Sequence, residues 1–217
     1  MIIVKASTRE RERLARERDI LNTAIKLFCK NGFEKTALED LAKESGYTKR
    51  TIYRYFTCKE DIFFAVILDG YKILAEMITS SYSSECNGLE NIRRSYLAFY
   101  DFYSKHTQLL RLMTMEGIIK SNSEKKEVPY RKILDKHTAA MFKSIIELFV
   151  IAKTEGSIRS DLDITHLAYS SIFLTTSFFN LFSLSGDSFT QFLKIDKEYF
   201  ANFCVDRMID SLCMEGR

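Results

Sequence analysis

The sequence is poor in the residues that form tight turns. It has one proline, Pro129, and eight glycines in 217 residues. A β-rich fold needs turns at short intervals, and those turns depend largely on glycine and proline. Apolar residues make up 46% of the chain, which is ordinary for a globular protein and argues against disorder as its main state. We therefore predict an all-α fold with a sizeable core.

The cysteines and histidines lack the spacings of metal and redox sites. The five cysteines include no C-x-x-C pair, and none lies beside a histidine at metal-ligand spacing. His106, His137 and His166 have no ligand partners at helical spacing. We expect free, mostly buried thiols in a reducing cytosol, no metal site and no cofactor.

Motifs of catalysis and of membrane targeting are also missing. There is no nucleophile elbow, phosphate loop, H-E-x-x-H or paired glycine fingerprint, so we do not expect an enzyme. The first four residues are too short for the apolar core of a signal peptide. Residues 167–186 carry no charge, but their serine, threonine and asparagine side chains make the segment too polar for stable membrane insertion. We expect a cytoplasmic protein with no membrane partner.

Positive charge is concentrated near the N-terminus. Residues 1–60 hold 14 Lys and Arg against 9 Asp and Glu, whereas residues 61–217 hold 18 against 20. A basic segment on a nearly neutral body is typical of a nucleic-acid-binding module attached to a second domain. Residues 7–18 are almost continuously charged. They are either a solvated helical extension with i,i+4 ion pairs or a basic arm that reaches DNA.

The most specific pattern in the chain predicts a helix-turn-helix. Thr36 and Glu39 have the spacing of a capping box at a helix start. That helix would end at Gly46, because glycine takes the left-handed conformation of a helix end without steric cost. Thr48 is the predicted cap of a second, short helix that runs through Tyr55. A second helix presented in this way is the usual major-groove reader; an ordinary helical hairpin is the alternative interpretation.

The outward face of the second helix carries cations, hydroxyls and a phenol, and no acid. Acidic side chains would be repelled by the phosphate backbone, so this composition favours DNA binding. The outward residues are Lys49, Arg50, Thr51, Tyr53 and Arg54. Lys59 lies in the first turn of the next predicted helix, where a cation and free backbone N–H groups together bind a phosphate.

The rest of the chain is rich in aromatic residues, with 14 phenylalanines and 8 tyrosines after residue 60. They form either an ordinary packed core or a largely apolar effector pocket. The pocket candidates, chosen because their helices would face each other, are Tyr96, Phe99, Tyr103, Met113, Phe142 and Phe149. A long helix capped by Asp163 is apolar on two sides, and so is the last helix. One side would cover the core and the other a second copy of the chain, which predicts a homodimer.

Residues 18–64 resemble the TetR family of one-component transcriptional regulators. The resemblance is carried by Phe28, Gly32, Phe33, Thr36, Ala42, Gly46, the run from Thr48 to Phe56 and the run from Lys59 to Phe63. Residues 155–163 also resemble the turn before the family's dimer helix. The resemblance implies a homodimer that binds an operator in double-stranded DNA and responds to a small-molecule effector, whose identity it does not reveal.

The resemblance also assigns roles to residues of the motif. Residues at groove-facing positions are Lys49, Arg50, Thr51 and Arg54, and those at phosphate-clamping positions are Thr36, Thr48, Tyr53 and Lys59. Arg50 departs from the glycine or alanine often found at its position, so it would add a base or a phosphate contact. An Arg or Lys that faces guanine is the commonest specific pairing.

Together these patterns predict a two-domain, all-α regulator. Residues 1–60 would form a three-helix helix-turn-helix DNA-binding domain with a basic N-terminal extension. A long helix would join it to a helical ligand-binding and dimerisation domain over residues 61–217. The predicted function is a repressor that binds a palindromic operator as a dimer and is released by a small, largely apolar effector. The competing hypothesis is a helical small-molecule-binding protein or enzyme whose helix-turn-helix is incidental.

Overall fold

The structure, a computed structural model, describes residues 7–122 and 128–213. These residues form ten α-helices and no β-strand, which confirms the all-α prediction. The helices are α1 (Thr8–Asn31), α2 (Leu38–Ser45), α3 (Lys49–Tyr53), α4 (Lys59–Ser81), α5 (Gly88–Lys105), α6 (Thr107–Met113), α7 (Glu116–Asn122), α8 (Pro129–Thr154), α9 (Ile164–Leu193) and α10 (Lys197–Asp210).

The helices belong to two compact units. The first unit holds the described residues up to Asp69 and those of the range 112–134. The second holds Gly70–Arg111 and the described residues from Asp135 onward. Helix α4 passes from the first unit to the second, so it is the long connecting helix that the sequence predicted. Helix α8 is divided in the same way.

Helix α1 includes the charged N-terminal stretch. The hydroxyl of Ser7 caps it by accepting the N–H of Glu10 at 3.2 Å. Glu12 and Arg16 form the expected i,i+4 ion pair, at 3.9 Å. Burial begins only at Ile20, because the preceding turns have no apolar face to pack. The stretch is thus a helical extension of α1, and contact of its arginines with DNA stays a prediction.

Three phenylalanines form the centre of the first unit's core. The ring centroids of Phe28, Phe33 and Phe63 lie 5.1 to 6.0 Å apart in tilted and edge-on arrangements, which aromatic rings prefer. Phe33 folds back onto α1 directly after the helix ends, with Gly32 as its C-cap. The cluster ties α1 and the loop after it to α4, and α2 packs on α1.

In the second unit, α5 packs against both α9 and α10. Phe99 of α5 stacks on Phe179 of α9 with ring centroids 5.5 Å apart. Arg93 of α5 donates to Asp206 of α10 at 3.0 and 3.1 Å. The predicted cap of α9 is confirmed, because Asp163 accepts the N–H of His166 at 2.9 Å. Asp196 caps α10 in the same way by accepting the N–H of Tyr199 at 2.8 Å.

Gly88, the first residue of α5, lies in contact with the backbone of α8. A Cβ at this position would be 2.4 Å from the Cα and Cβ of Ala152. Glu155 accepts the N–H of Gly88 at 2.8 Å and holds the helix end in place. We expect Gly88→Ala to lower the free energy of unfolding by about 1–3 kcal/mol, because backbone must shift to relieve the overlap.

Denaturant unfolding of the two alanine variants measures this effect. Gly117→Ala is the matched control, since an added Cβ there would meet nothing within 4 Å. Alanine is the better helix former, so Gly117→Ala is expected to be neutral or slightly stabilising. Equal stabilities for the two variants would contradict the close approach of α5 and α8.

Candidate functional site

Helices α2 and α3 form the predicted helix-turn-helix. Gly46 ends α2 in the left-handed conformation, with φ 73° and ψ 11°, as predicted. Thr48 caps α3 by accepting the N–H of Thr51 at 3.1 Å, which is also as predicted. Leu41 of α2 and Ile52 of α3 are both buried, and the two helices are in contact. Helix α3 ends at Tyr53, two residues before the predicted end.

The predicted capping box of Thr36 and Glu39 is wrong by one residue. Ala37 is the N-cap of α2, and its N–H is accepted by Asp40 at 3.4 Å. The Thr36 side chain is buried instead, and its hydroxyl donates to the carbonyl of Gly32 at 2.8 Å. This bond ties the start of α2 to the end of α1. A phosphate contact by Thr36 stays a prediction, and it would require the hydroxyl to change its partner.

The polar face of α3 is open to solvent. Thr48, Lys49, Arg50 and Arg54 are exposed, and Thr51 is half-buried. Tyr53 keeps 54% of its surface exposed, which is unusual for so large an apolar ring. The face therefore presents three cations, two hydroxyls and a phenol within about two helical turns. This is the arrangement that the sequence predicted.

An acidic side chain, which the sequence of α3 does not predict, lies beside this face. Glu39 of α2 forms an ion pair with Lys49, and both side chains are largely exposed. The carboxylate comes from the other helix of the motif, ten residues earlier in the chain, so inspection of α3 alone could not find it. An exposed pair of this kind is worth little to stability. The ion pair holds the Lys49 ammonium beside Glu39 of α2. DNA phosphates would compete with the Glu39 carboxylate for this ammonium.

Lys59 occupies a fixed position between α4 and the loop after α1. Its ammonium donates to the carbonyls of Phe33 at 2.8 Å and Glu34 at 3.1 Å. It also lies 4.4 Å from the centroid of the Phe33 ring, within cation–π range. An ammonium has three donors, so these bonds leave one N–H for a phosphate. The structure thus holds this cation at the start of α4, where a phosphate contact was predicted.

The six predicted pocket residues belong to different units. Tyr96, Phe99, Tyr103, Phe142 and Phe149 lie in the second unit, and Met113 lies in the first. Phe142 is half-buried and the other five are buried. Phe99 and Tyr103 both stack on Phe179, at 5.5 and 6.0 Å, so these two rings are part of the packing between α5 and α9. A role in ligand binding stays a prediction for all six.

Tyr96 differs from the other five because its hydroxyl is buried and forms no hydrogen bond with any described residue. Burial raises the pKa of Tyr96 above its usual value, and the hydroxyls of Ser171 and Thr175 on α9 offset only part of this rise. Both of these side chains are themselves buried. The second unit thus contains a small group of neutral hydroxyls within apolar surroundings, of the kind that orients a ligand.

A separate open cleft of about 630 Å³ lies in the second unit. None of the six predicted pocket residues lines it. Its lining residues are Met77, Ser80, Ser81, Glu90, Arg94, Leu97, Ala98, Tyr100, Asp101, Glu198 and Asn202. Three of these are carboxylates and only one is a cation, so the cleft is more polar and more acidic than the predicted pocket.

Helix α9 has an extensive apolar face that remains in contact with solvent. Phe173, Leu181 and Leu184 are 72, 65 and 66% exposed, and Leu174 is exposed beside them. The opposite face of the helix is buried, through residues such as Phe179. On α10 the apolar side chains of Tyr199 and Phe203 are also exposed. Exposed apolar surface of this extent marks an interaction site.

Residues 20–66 match the family model of the bacterial regulatory proteins of the tetR family. The match covers α1 from its first buried residue, the helix-turn-helix and the start of α4. The chain belongs to the TetR family. It is therefore a DNA-binding transcriptional regulator with an N-terminal helix-turn-helix and a helical C-terminal domain.

Curated relatives of the chain come from several bacteria. The HTH-type transcriptional repressor NicS of Pseudomonas putida is 26% identical over 93% of this chain and 92% of that protein. The uncharacterized HTH-type transcriptional regulator YerO of Bacillus subtilis is 23% identical over 88% of this chain. The chain spans 62% of the length of YerO.

Solved structures share the fold over most of the chain. FadR of Bacillus subtilis, in complex with stearoyl-CoA, has a TM-score of 0.70 at 14% identity. The match covers 88% of this chain and 97% of the FadR chain. AibR, in complex with isovaleryl coenzyme A and operator DNA, has a TM-score of 0.65 at 24% identity. The match covers 88% of this chain and 96% of the AibR chain. At these identities the likeness concerns the fold.

Three further features of this chain concern its cysteines, metal binding and membranes. None of the five cysteines, all of which are described residues, forms a disulfide, but the prediction that most are buried is wrong: Cys29 is exposed and the other four are half-buried. The described residues contain no cluster of His, Cys, Asp and Glu that could hold a metal ion. Helix α9 is long and apolar enough to cross a membrane by length and composition, although 39% of its most apolar window is buried.

Proposed function

We propose that the protein is a homodimeric repressor that binds a palindromic operator and releases it when a small, largely apolar effector binds the helical body. The observation that carries the proposal is the exposed, acid-free face of α3, with Lys49, Arg50 and Arg54 turned to solvent. Such a surface attracts phosphates through its positive charge and can hydrogen-bond to base edges. The protein would act in the cytoplasm, without a cofactor or an enzymatic activity.

Individual contacts follow from this arrangement. Lys49, Arg50, Thr51 and Arg54 would face the major groove, while Thr48, Tyr53 and Lys59 would bind phosphates on either side. Thr36 would join the phosphate contacts if its hydroxyl left the carbonyl of Gly32. The two copies of α3 would lie about 34–36 Å apart, one turn of B-DNA, so that a dimer reads two half-sites on one face of the duplex.

The effector class is supported by the interior of the second unit and by the structural relatives. FadR was solved with stearoyl-CoA and AibR with isovaleryl coenzyme A, so this fold holds acyl chains attached to a polar carrier. Tyr96, Phe99 and Phe149 line the proposed apolar part of the site, with the Tyr96 hydroxyl as a neutral polar anchor. An effector that binds better to a geometry with a different α3 spacing would shift the population away from DNA.

The experiment that tests the proposal is a titration with the DNA upstream of the protein's own gene as salt rises from about 50 to 200 mM. A dimer that neutralises roughly six to ten phosphates should lose about 10³- to 10⁵-fold in affinity over this range, since each contact releases counterions. A flat response would reject phosphate-driven binding. Ligand binding or turnover without DNA affinity at low salt would favour the competing hypothesis of an incidental helix-turn-helix.

A further inference from the structure

The first turn of α8 is part of the DNA-binding unit. The N–H of Tyr130 donates to Asp61 Oδ1 of α4 at 2.9 Å, and the Tyr130 hydroxyl donates to the carboxylate of Glu17 on α1. The Tyr130 ring lies against the ring of Phe56, with centroids 5.6 Å apart. Leu134, one turn later, is completely buried. A single residue of α8 thus contacts α1, α4 and the segment that follows α3.

Asp61 connects this turn to the end of the recognition helix. The carboxylate is 1% exposed, and its second oxygen accepts both the N–H and the hydroxyl of Thr57, at 2.9 and 3.1 Å. A buried carboxylate is tolerated because several donors satisfy it. Thr57 directly follows Phe56, a buried residue whose N–H bonds to the carbonyl of Ile52 in α3. The Asp61 carboxylate therefore bonds both to Thr57, shortly after the end of α3, and to Tyr130, at the start of α8.

The remainder of α8 belongs to the second unit, from Asp135 onward. An α-helix does not stretch, because every residue is tied to the next turn by backbone hydrogen bonds. A displacement of α8 along or across its axis must therefore either carry Phe56 and Thr57 with it or break the bonds of Tyr130 and Asp61. Both outcomes change the position or the mobility of α3.

We infer that Tyr130 is a positioning residue for the recognition helix, and that effector binding in the helical body alters DNA affinity through the contacts of Tyr130 with Phe56, Asp61 and Glu17. The inference rests on the proposed function. It adds to that function a specific contact between the two helices α4 and α8, because Asp61 and Tyr130 are 69 positions apart in the chain. The Tyr130 pKa is raised far above its usual range by burial and by the bond to Glu17, so the phenol stays protonated and remains a donor throughout the physiological range.

The test uses the full-length protein and the reciprocity of coupled sites, so it does not need the effector. If α8 reports to the DNA site, DNA must also report to α8. We expect DNA from the upstream region to slow amide hydrogen exchange in residues 135–154 of the wild type. In Tyr130→Ala this protection should disappear, and DNA affinity should fall about 5- to 20-fold, a typical coupling between sites.

Two further variants make the outcome decisive. Tyr130→Phe keeps the ring on Phe56 and the backbone bond to Asp61 but loses the bond to Glu17, so we expect an intermediate loss of about two- to fivefold. Tyr82→Ala removes an equally large ring that is 54% exposed, and it should leave both readouts unchanged. If Tyr130→Ala does not fold, as judged by circular dichroism, the DNA affinity of Tyr130→Phe relative to the wild type is the deciding measurement.

The possible failures are distinguishable. A wild type with no DNA affinity at low salt would reject the proposed function itself. A wild type that binds DNA, together with Tyr130 variants that match its affinity and its exchange pattern in residues 135–154, would overturn only the role of Tyr130.

Discussion

Phe173→Glu combined with Leu181→Glu is expected to convert a dimer into monomers and to lower operator affinity by at least about 100-fold. The two side chains are 72 and 65% exposed on one unburied face of α9. In the proposed dimer they would be covered by the second copy, and a carboxylate buried there without a partner is strongly unfavourable. A monomer would hold one half-site only and lose the gain from linked binding, which is typically 10²- to 10⁴-fold.

Sedimentation velocity and a DNA titration on the same preparations measure the two effects. Ile118→Glu with Tyr82→Glu is the matched control, because these residues are 64 and 54% exposed and lie outside α9 and α10. The control should keep the mass of a dimer. A dimeric Phe173→Glu, Leu181→Glu variant would mean that the α9 face is covered by something other than a second copy.

The second large effect is expected from Arg50→Ala combined with Arg54→Ala. Both guanidinium groups lie on the exposed face of α3. An arginine bonded to two acceptors of one guanine is worth about 1–3 kcal/mol of discrimination, so the double variant should bind its operator about 10²- to 10⁴-fold more weakly. It should also relax base preference, because the remaining phosphate contacts do not depend on sequence.

Competition titrations with operator and unrelated duplexes separate these two losses. Lys105→Ala with Lys143→Ala is the control, since it removes the same charge from exposed positions on α5 and α8. The control variant should retain its specificity. An arginine variant that loses no more affinity than the lysine control would indicate that α3 does not lie in the groove.

The turn of the helix-turn-helix was predictable because its determinants are local. Gly46 and Thr48 act on backbone groups no more than three or four residues away, so their types and spacing suffice to predict the turn. The cap of α2 was missed because two overlapping patterns compete. Thr36 has the better side chain for a cap, but its hydroxyl finds a partner in the carbonyl of Gly32.

The parts that could not be predicted depend on contacts distant in sequence. Nothing near Tyr130 indicates that its N–H reaches Asp61, and the Glu39–Lys49 pair forms only because α2 and α3 cross. Pocket residues pose a different difficulty. Phe99 and Phe149 have the spacing of core residues and the chemistry of a ligand site at once, so helical periodicity cannot separate packing from binding.

Selection of binding sites from random DNA duplexes by the full-length protein tests whether a dimer presents α3 twice to the same duplex. We expect enrichment of a palindrome whose half-sites are centred about 10–10.5 base pairs, or a multiple of this spacing, apart. Enrichment should disappear in the Arg50→Ala, Arg54→Ala variant. Recovery of no sequence above background, or of a single unpaired half-site, would contradict an exposed α3 presented twice by a dimer.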